Sequence, residues 1–154
     1  MTQNISLNQF SPNSPVAGMY AYAVNAPQLH NVIVSKNQVE VLSAGAVLTL
    51  DKSVVNSSCP VVKQAKSGDA VFGVLAYTPV QNVFKANDRV CMAREHEIIW
   101  MLAASDVKQG DVLYFDENNS VTATSTEGAT LGVAITSAMQ GNYVQVELKF
   151  SMAV

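Results

Sequence analysis

Charge is scarce in this chain and absent from its start: residues 1–35 contain no Asp, Glu, Lys or Arg. That excludes two ordinary states for the segment. A free tail is normally kept soluble by charge, and a self-folding unit needs a periodic apolar face; this stretch has neither. Its Phe10, Tyr20, Tyr22, Leu29, Val32 and Ile33, scattered among Asn, Gln, Ser and Pro, point instead to an arm that becomes ordered on another surface. Over the whole chain Asp, Glu, Lys and Arg make up only 14%, against roughly 25% in an ordinary soluble domain. Much of the surface is therefore Ser, Thr, Asn, Gln and apolar groups, a composition that tends to meet other protein.

Other absences narrow the class further. A net charge of −3 without a basic cluster gives no means of displacing counterions from nucleic acid, so DNA and RNA are not expected partners. No apolar run approaches the roughly 18 residues of a membrane span, and no basic stretch precedes an apolar one at the start. The expectation is a soluble product of a cytoplasm, with no membrane partner. The two cysteines, Cys59 and Cys91, lack any CxxC or Cys/His ligand spacing. They read as reduced, partly interior thiols, with a disulfide left open by the sequence. Two histidines and no Gly-rich loop opening a helix leave little for catalysis or nucleotide binding.

What is present is a β pattern. The chain has 154 residues, 49% of them hydrophobic, which suits one domain with an ample core. Val144, Val146, Leu148 and Phe150 alternate with Tyr143, Gln145, Glu147 and Lys149, the period of two of a half-buried strand. Residues 70–77 and 98–104 are apolar on both faces and read as buried strands; β-branched residues and Trp favour strand over helix in the second. Shorter candidates lie at 38–42, 46–50, 60–65, 88–94, 111–115, 120–123 and 130–136, about ten strands in all by the periodicity rule. Weak helical turns are conceivable at 104–108 and 25–30.

The punctuation repeats. Lys66-Ser67-Gly68-Asp69 and Lys108-Gln109-Gly110-Asp111 share Lys-x-Gly-Asp, and Lys85-Ala86-Asn87-Asp88 is a third copy with Asn for Gly. Each reads as a turn feeding a strand: Gly or Asn supplies positive φ, and Asp bonds local amides. Turn chemistry explains Asp69 and Asp111 more economically than metal binding does. Phe72-Gly73-Val74-Leu75-Ala76 and Leu131-Gly132-Val133-Ala134-Ile135 are also alike, and Gly inside a strand marks a bulge or a barrel corner. Residues 116–120 and 139–142, with Gly141, are hairpin signals, and 122–128 is a polar loop.

Glu95-His96-Glu97 is the only dense titratable cluster. In an extended strand its neighbours would point to opposite faces, so it reads as an exposed turn or strand end. Pairing Cys59 or Cys91 with His96 as a nucleophile lacks an orienting third group. No catalytic, cofactor or metal site is expected.

Taken in order, Ala44-Gly45-Ala46-Val47-Leu48-Thr49-Leu50, Gly73-Val74-Leu75-Ala76, the Gly-Asp turns at 68–71 and 110–112, Leu131-Gly132-Val133-Ala134-Ile135 and Gly141-Asn142-Tyr143-Val144-Gln145-Val146 make the chain resemble the capsid decoration, or cement, proteins of tailed bacteriophages. The likeness covers about residues 38–150. It implies an all-β fold, a small β-barrel or β-tulip (SH3-like or jelly-roll-like) at 38–154 behind an extended arm at 1–37. It also implies a non-enzymatic virion protein on the outer capsid surface, bound to the major capsid protein and to itself as a dimer or trimer. Phe10, Tyr20, Tyr22, Leu29 and Ile33 are then the expected anchors, since aromatic and large aliphatic groups dominate interface energies. Gly68, Asp69, Gly110, Asp111 and Gly141 are the expected structural turns. A different class, a tail or receptor-binding module gripping carbohydrate through 116–120 and 122–128, is disfavoured by an aromatic content of 7%.

Overall fold

The structure, a computed structural model, describes residues 15–21, 30–55, 58–78, 80–81, 83–124 and 129–150. Among these there are twelve strands and no helix: β1 (His30–Val34), β2 (Leu42–Ser43), β3 (Val47–Leu50), β4 (Val61–Gln64), β5 (Gly73–Leu75), β6 (Val83–Phe84), β7 (Arg89–Ala93), β8 (Ile98–Leu102), β9 (Val112–Phe115), β10 (Val121–Thr122), β11 (Thr130–Ala134) and β12 (Tyr143–Leu148). Strands β1-β4-β3-β5-β7 form a closed barrel, in which β1 runs parallel to β4 and antiparallel to β7. A second sheet has the order β10-β9-β11-β12-β8, and a parallel bridge from Ala103 to Val121 brings its two edges together.

The two sheets are copies of one design. Strands β8, β10, β9, β11 and β12 succeed one another as β1, β4, β3, β5 and β7 do, with the same parallel and antiparallel pairings. Even the small β2–β6 pair has a counterpart in the bridge between Val107 and Ala138. Individual bonds repeat. Gly45 N–H donates to the Leu75 carbonyl as Gly110 N–H does to Ala134, both at 2.8 Å, and Asn87 donates to Val34 as Gly141 does to Ala103, both at 2.9 Å. This register lays Ala44-Gly45-Ala46-Val47-Leu48-Thr49-Leu50-Asp51 over Gln109-Gly110-Asp111-Val112-Leu113-Tyr114-Phe115-Asp116, and Gly73-Val74 over Gly132-Val133.

Alternation builds each core. Val32, Val34, Leu48, Val62, Leu75, Val90 and Met92 fill the first barrel, and their counterparts Met101, Ala103, Leu113, Val121, Ala134, Val144 and Val146 fill the second. The second cluster continues through Ile99, Phe115, Leu131 and Leu148, at the end of that barrel, into Val47, Val74 and Ala93 on the outer side of the first. Those three are cross-strand neighbours in one row over β3, β5 and β7. The end of one barrel is thus buried on the flank of the other.

Several expectations are corrected. The boundary between arm and barrel does not fall at 37/38: residues 30–34, charge-free and short, are a barrel strand because Val32 and Val34 alternate inward and Ile33 pairs with both Val61 and Arg89. Of the run 38–42 only Leu42, buried at 2%, is strand, as the first residue of β2; Val39 and Val41 are exposed at 95% and 63%. Of 70–77 only Gly73–Leu75 is strand. Residues 104–108 make bends and a single bridge; most of 25–30 lies outside the described residues.

Candidate interaction surface

Residues 15–21 form a strap. It crosses β8 as an added edge: Gly18 N–H donates to the Trp100 carbonyl (2.8 Å), Trp100 N–H to Met19 (2.8 Å) and Ala21 N–H to Ile98 (2.9 Å). Gly18 is required here on two grounds. Its φ is +82°, and a Cβ would stand 2.5 Å from the Leu75 carbonyl oxygen and 2.7 Å from the Gly45 nitrogen. The Tyr77 N–H closes onto the Gly18 carbonyl at 3.0 Å, so this one residue is bonded to both barrels.

Tyr20 sits on the strap, half-buried, with its hydroxyl donating to Glu97 Oε2 at 3.2 Å. Burial, reinforced by the Glu97 charge and hydrogen bond, pushes its phenol well above the ordinary tyrosine range, so it stays neutral. The same Glu97 carboxylate accepts the Arg94 N–H (2.8 Å). Ile33 lies in β1 as a partly exposed residue. Phe10, Tyr22 and Leu29 lie outside the described residues. The structure therefore gives two of the five expected anchors a place on the chain's own barrels.

The turn residues share one geometry. Gly68, Gly110 and Gly141 have φ of 91°, 92° and 88°, and Asp69 Oδ2 and Asp111 Oδ2 accept the Lys66 and Lys108 N–H at 2.8 and 2.9 Å. Asp88 does the same for Lys85 at 2.9 Å, with Asn87 at φ 69°. Sequence reading missed a further member. Arg94-Glu95-His96-Glu97, the link between the barrels, folds in this way too, with His96 at φ 73° in the glycine position and Glu97 in the Asp role. The signal was a basic residue three positions before a carboxylate, as in Lys66–Asp69 and Lys108–Asp111.

A second anchoring group is Asp51, buried at the end of β3. It accepts the Ser35 hydroxyl, the Ser53 hydroxyl (2.6 Å) and N–H (3.1 Å), and the Asn37 amide (3.3 Å). These bonds, that from Ser35 foremost, hold its carboxyl well below the usual carboxylate range against the opposing effect of burial. Between residues 37–40 and β3–β4 runs an open groove of about 1120 Å³, lined by Asp51 itself and by Lys52, Lys63 and Lys66 among Glu40, Asp69 and Glu117. Among the described residues no three His, Cys, Asp or Glu side chains come together as a metal site, and Cys59 and Cys91 are free thiols.

What remains open to a partner is therefore surface. Uncovered apolar side chains include Val112 (47%) and Leu50 (37%) on the two barrels, and Val80 (93%) and Val83 (51%) around β6. Phe72, partly buried, carries the Arg94 guanidinium 4.1 Å above its ring centroid.

No family model and no curated protein matches this chain. Among solved structures it is similar to the crystal structure of the head fiber gp8.5 N base of bacteriophage phi29, with a TM-score of 0.55 and 16% identity, over 79% of this chain and 92% of that one. At that identity the likeness is one of fold.

Proposed function

We propose that this chain is a non-enzymatic structural protein of a phage head, which binds the outside of the assembled shell and braces contacts between units of the major capsid protein. The observation that carries this reading is the fold shared with nearly the whole of a phage head fiber base. The sequence agrees with it: a charge-poor chain whose first residues lack the means to be soluble alone is suited to lying on protein. In this reading residues 1–14, with Phe10 as the bulky anchor, make the contact with the shell, and the paired barrels form a rigid head above it. A clamp across two capsid units adds free energy that must be lost before they separate, so expanded shells carrying it resist disruption by pressure and heat better than bare ones. The N-terminal segment suits the task because it buries no charge, at the cost of ordering entropy on binding.

The test is co-sedimentation of the purified chain with expanded and unexpanded shells of the phage that encodes it, with and without residues 1–14. The reading expects saturable binding to expanded shells, weakened by the deletion, and a raised temperature of shell disruption. Absence of the chain from virions and of any affinity for shells would overturn it.

A further inference from the structure

The duplication makes the surface of each barrel interpretable from the other. In the second barrel the end layer of Phe115, Leu131 and Leu148 is buried on the Val47-Val74-Ala93 row of the first. By the register above, the counterparts of that end layer on the first barrel are Leu50, Phe72 and Arg94. The counterparts of the row on the second barrel are Val112, Val133 and Glu147, likewise cross-strand neighbours. Nothing among the described residues buries either set: Leu50 and Val112 are exposed at 37% and 47%, and Phe72, Arg94, Val133 and Glu147 are all partly exposed.

We propose that these two surfaces bind each other between copies of this chain, the end of the first barrel of one copy seating on the flank of the second barrel of the next, in the geometry the two barrels already use within the chain. The surfaces are complementary in chemistry as well as position. Leu50 and Phe72 are apolar, as are Val112 and Val133, and the two sets carry opposite charges, Arg94 on the end and Glu147 on the flank. The contact is heterologous, so it propagates until rotation closes a ring. It goes beyond the reading above and requires no shell, so its failure and a failure to bind shells are separable observations.

The experiment is light scattering after size exclusion on the full chain and on two single-face variants, Leu50→Asp and Val112→Asp, both at exposed positions. The wild-type chain is expected to run as an oligomer and each variant as a monomer. A one-to-one mixture of the two variants retains one intact end and one intact flank, and is expected to give a heterodimer and nothing larger. Charge reversal supplies a second readout that does not depend on those variants folding: Arg94→Glu and Glu147→Arg each dissociate the oligomer, and the double variant restores it. A wild-type monomer at high micromolar concentration, variants that remain oligomeric, or a mixture that stays monomeric would overturn the proposal.

Discussion

Replacing Gly132 by Ala tests why glycine stands inside a strand. Gly132 lies in β11 beside a register shift between Thr130 and Gly132, and its φ is not in the left-handed region, so conformational freedom is not what it provides there. Space is. A Cβ would collide with the Glu147 carbonyl oxygen of β12, and would stand 2.9 Å from Val146 Cγ1 and 3.0 Å from the Glu147 carbonyl carbon. Two of those atoms are backbone held in the β11–β12 ladder, so relief requires strand separation rather than a rotamer change. Overpacking against movable side chains costs about 1–3 kcal/mol; with a rigid backbone neighbour about 3 kcal/mol or more is expected. Gly68→Ala is the control. At Gly68 φ is +91° and nothing lies within 4 Å of an added Cβ, so only the left-handed penalty of about 1–2 kcal/mol applies. Urea unfolding of both variants, read by circular dichroism, gives the comparison. If Gly132→Ala costs no more than Gly68→Ala, the close approach of the strands is not what the glycine serves.

Further outcomes follow from other positions. His96→Gly relieves a side chain held at φ 73° in the inter-barrel turn and is expected to stabilise by about 0.5–1 kcal/mol in the same urea assay. Asp51→Ala leaves the buried Ser35 hydroxyl without its acceptor and costs about 1–3 kcal/mol. Because the folded-state pKa of Asp51 is depressed, its stabilisation is present above the unfolded carboxylate value near 4 and is lost as pH falls through the folded value. Acid titration from pH 5 downward should therefore show the wild-type advantage over Asp51→Asn shrinking. Deleting residues 1–14 keeps the strap and every described strand and is expected to leave the melting curve close to that of the full chain. Deleting residues 1–35 removes β1, whose closure of the barrel pairs it with β4 and β7, and abolishes the cooperative transition.

The β class, several strands and most turns were legible because alternation and Gly-Asp punctuation are local signals: residues 143–148 and 98–102 could be read directly, whereas one barrel was expected and two five-stranded sheets are found. The likeness of residues 72–76 to 131–135 was a true trace of the duplication. The turns at 66–69 and 108–111, in contrast, are alike without being equivalent, because any chain entering a strand through a positive-φ residue solves that corner with the same chemistry. The correct partner of Gly110 is Gly45, whose phrase lacks the flanking Lys and Asp, so turn identity masked the fold register. Strand β1 was hidden by its five-residue length within a polar, uncharged context, and only the long-range pairing with β4 and β7 reveals it. The segment around His96 could be read as a turn or strand end, but its kinship with the Gly-Asp corners was hidden because neither glycine nor asparagine stands at position 96.

Gly18 also has a mechanical consequence. Its carbonyl is gripped by Tyr77 of the first barrel and its amide by Trp100 of the second, so a tensile load arriving along the polypeptide from upstream of Pro15 divides between both halves before it reaches either hydrophobic interior. Force applied there must shear short backbone links on two bodies at once, which makes the junction between the barrels, rather than the connecting turn at 94–97, the place where pulling is resisted.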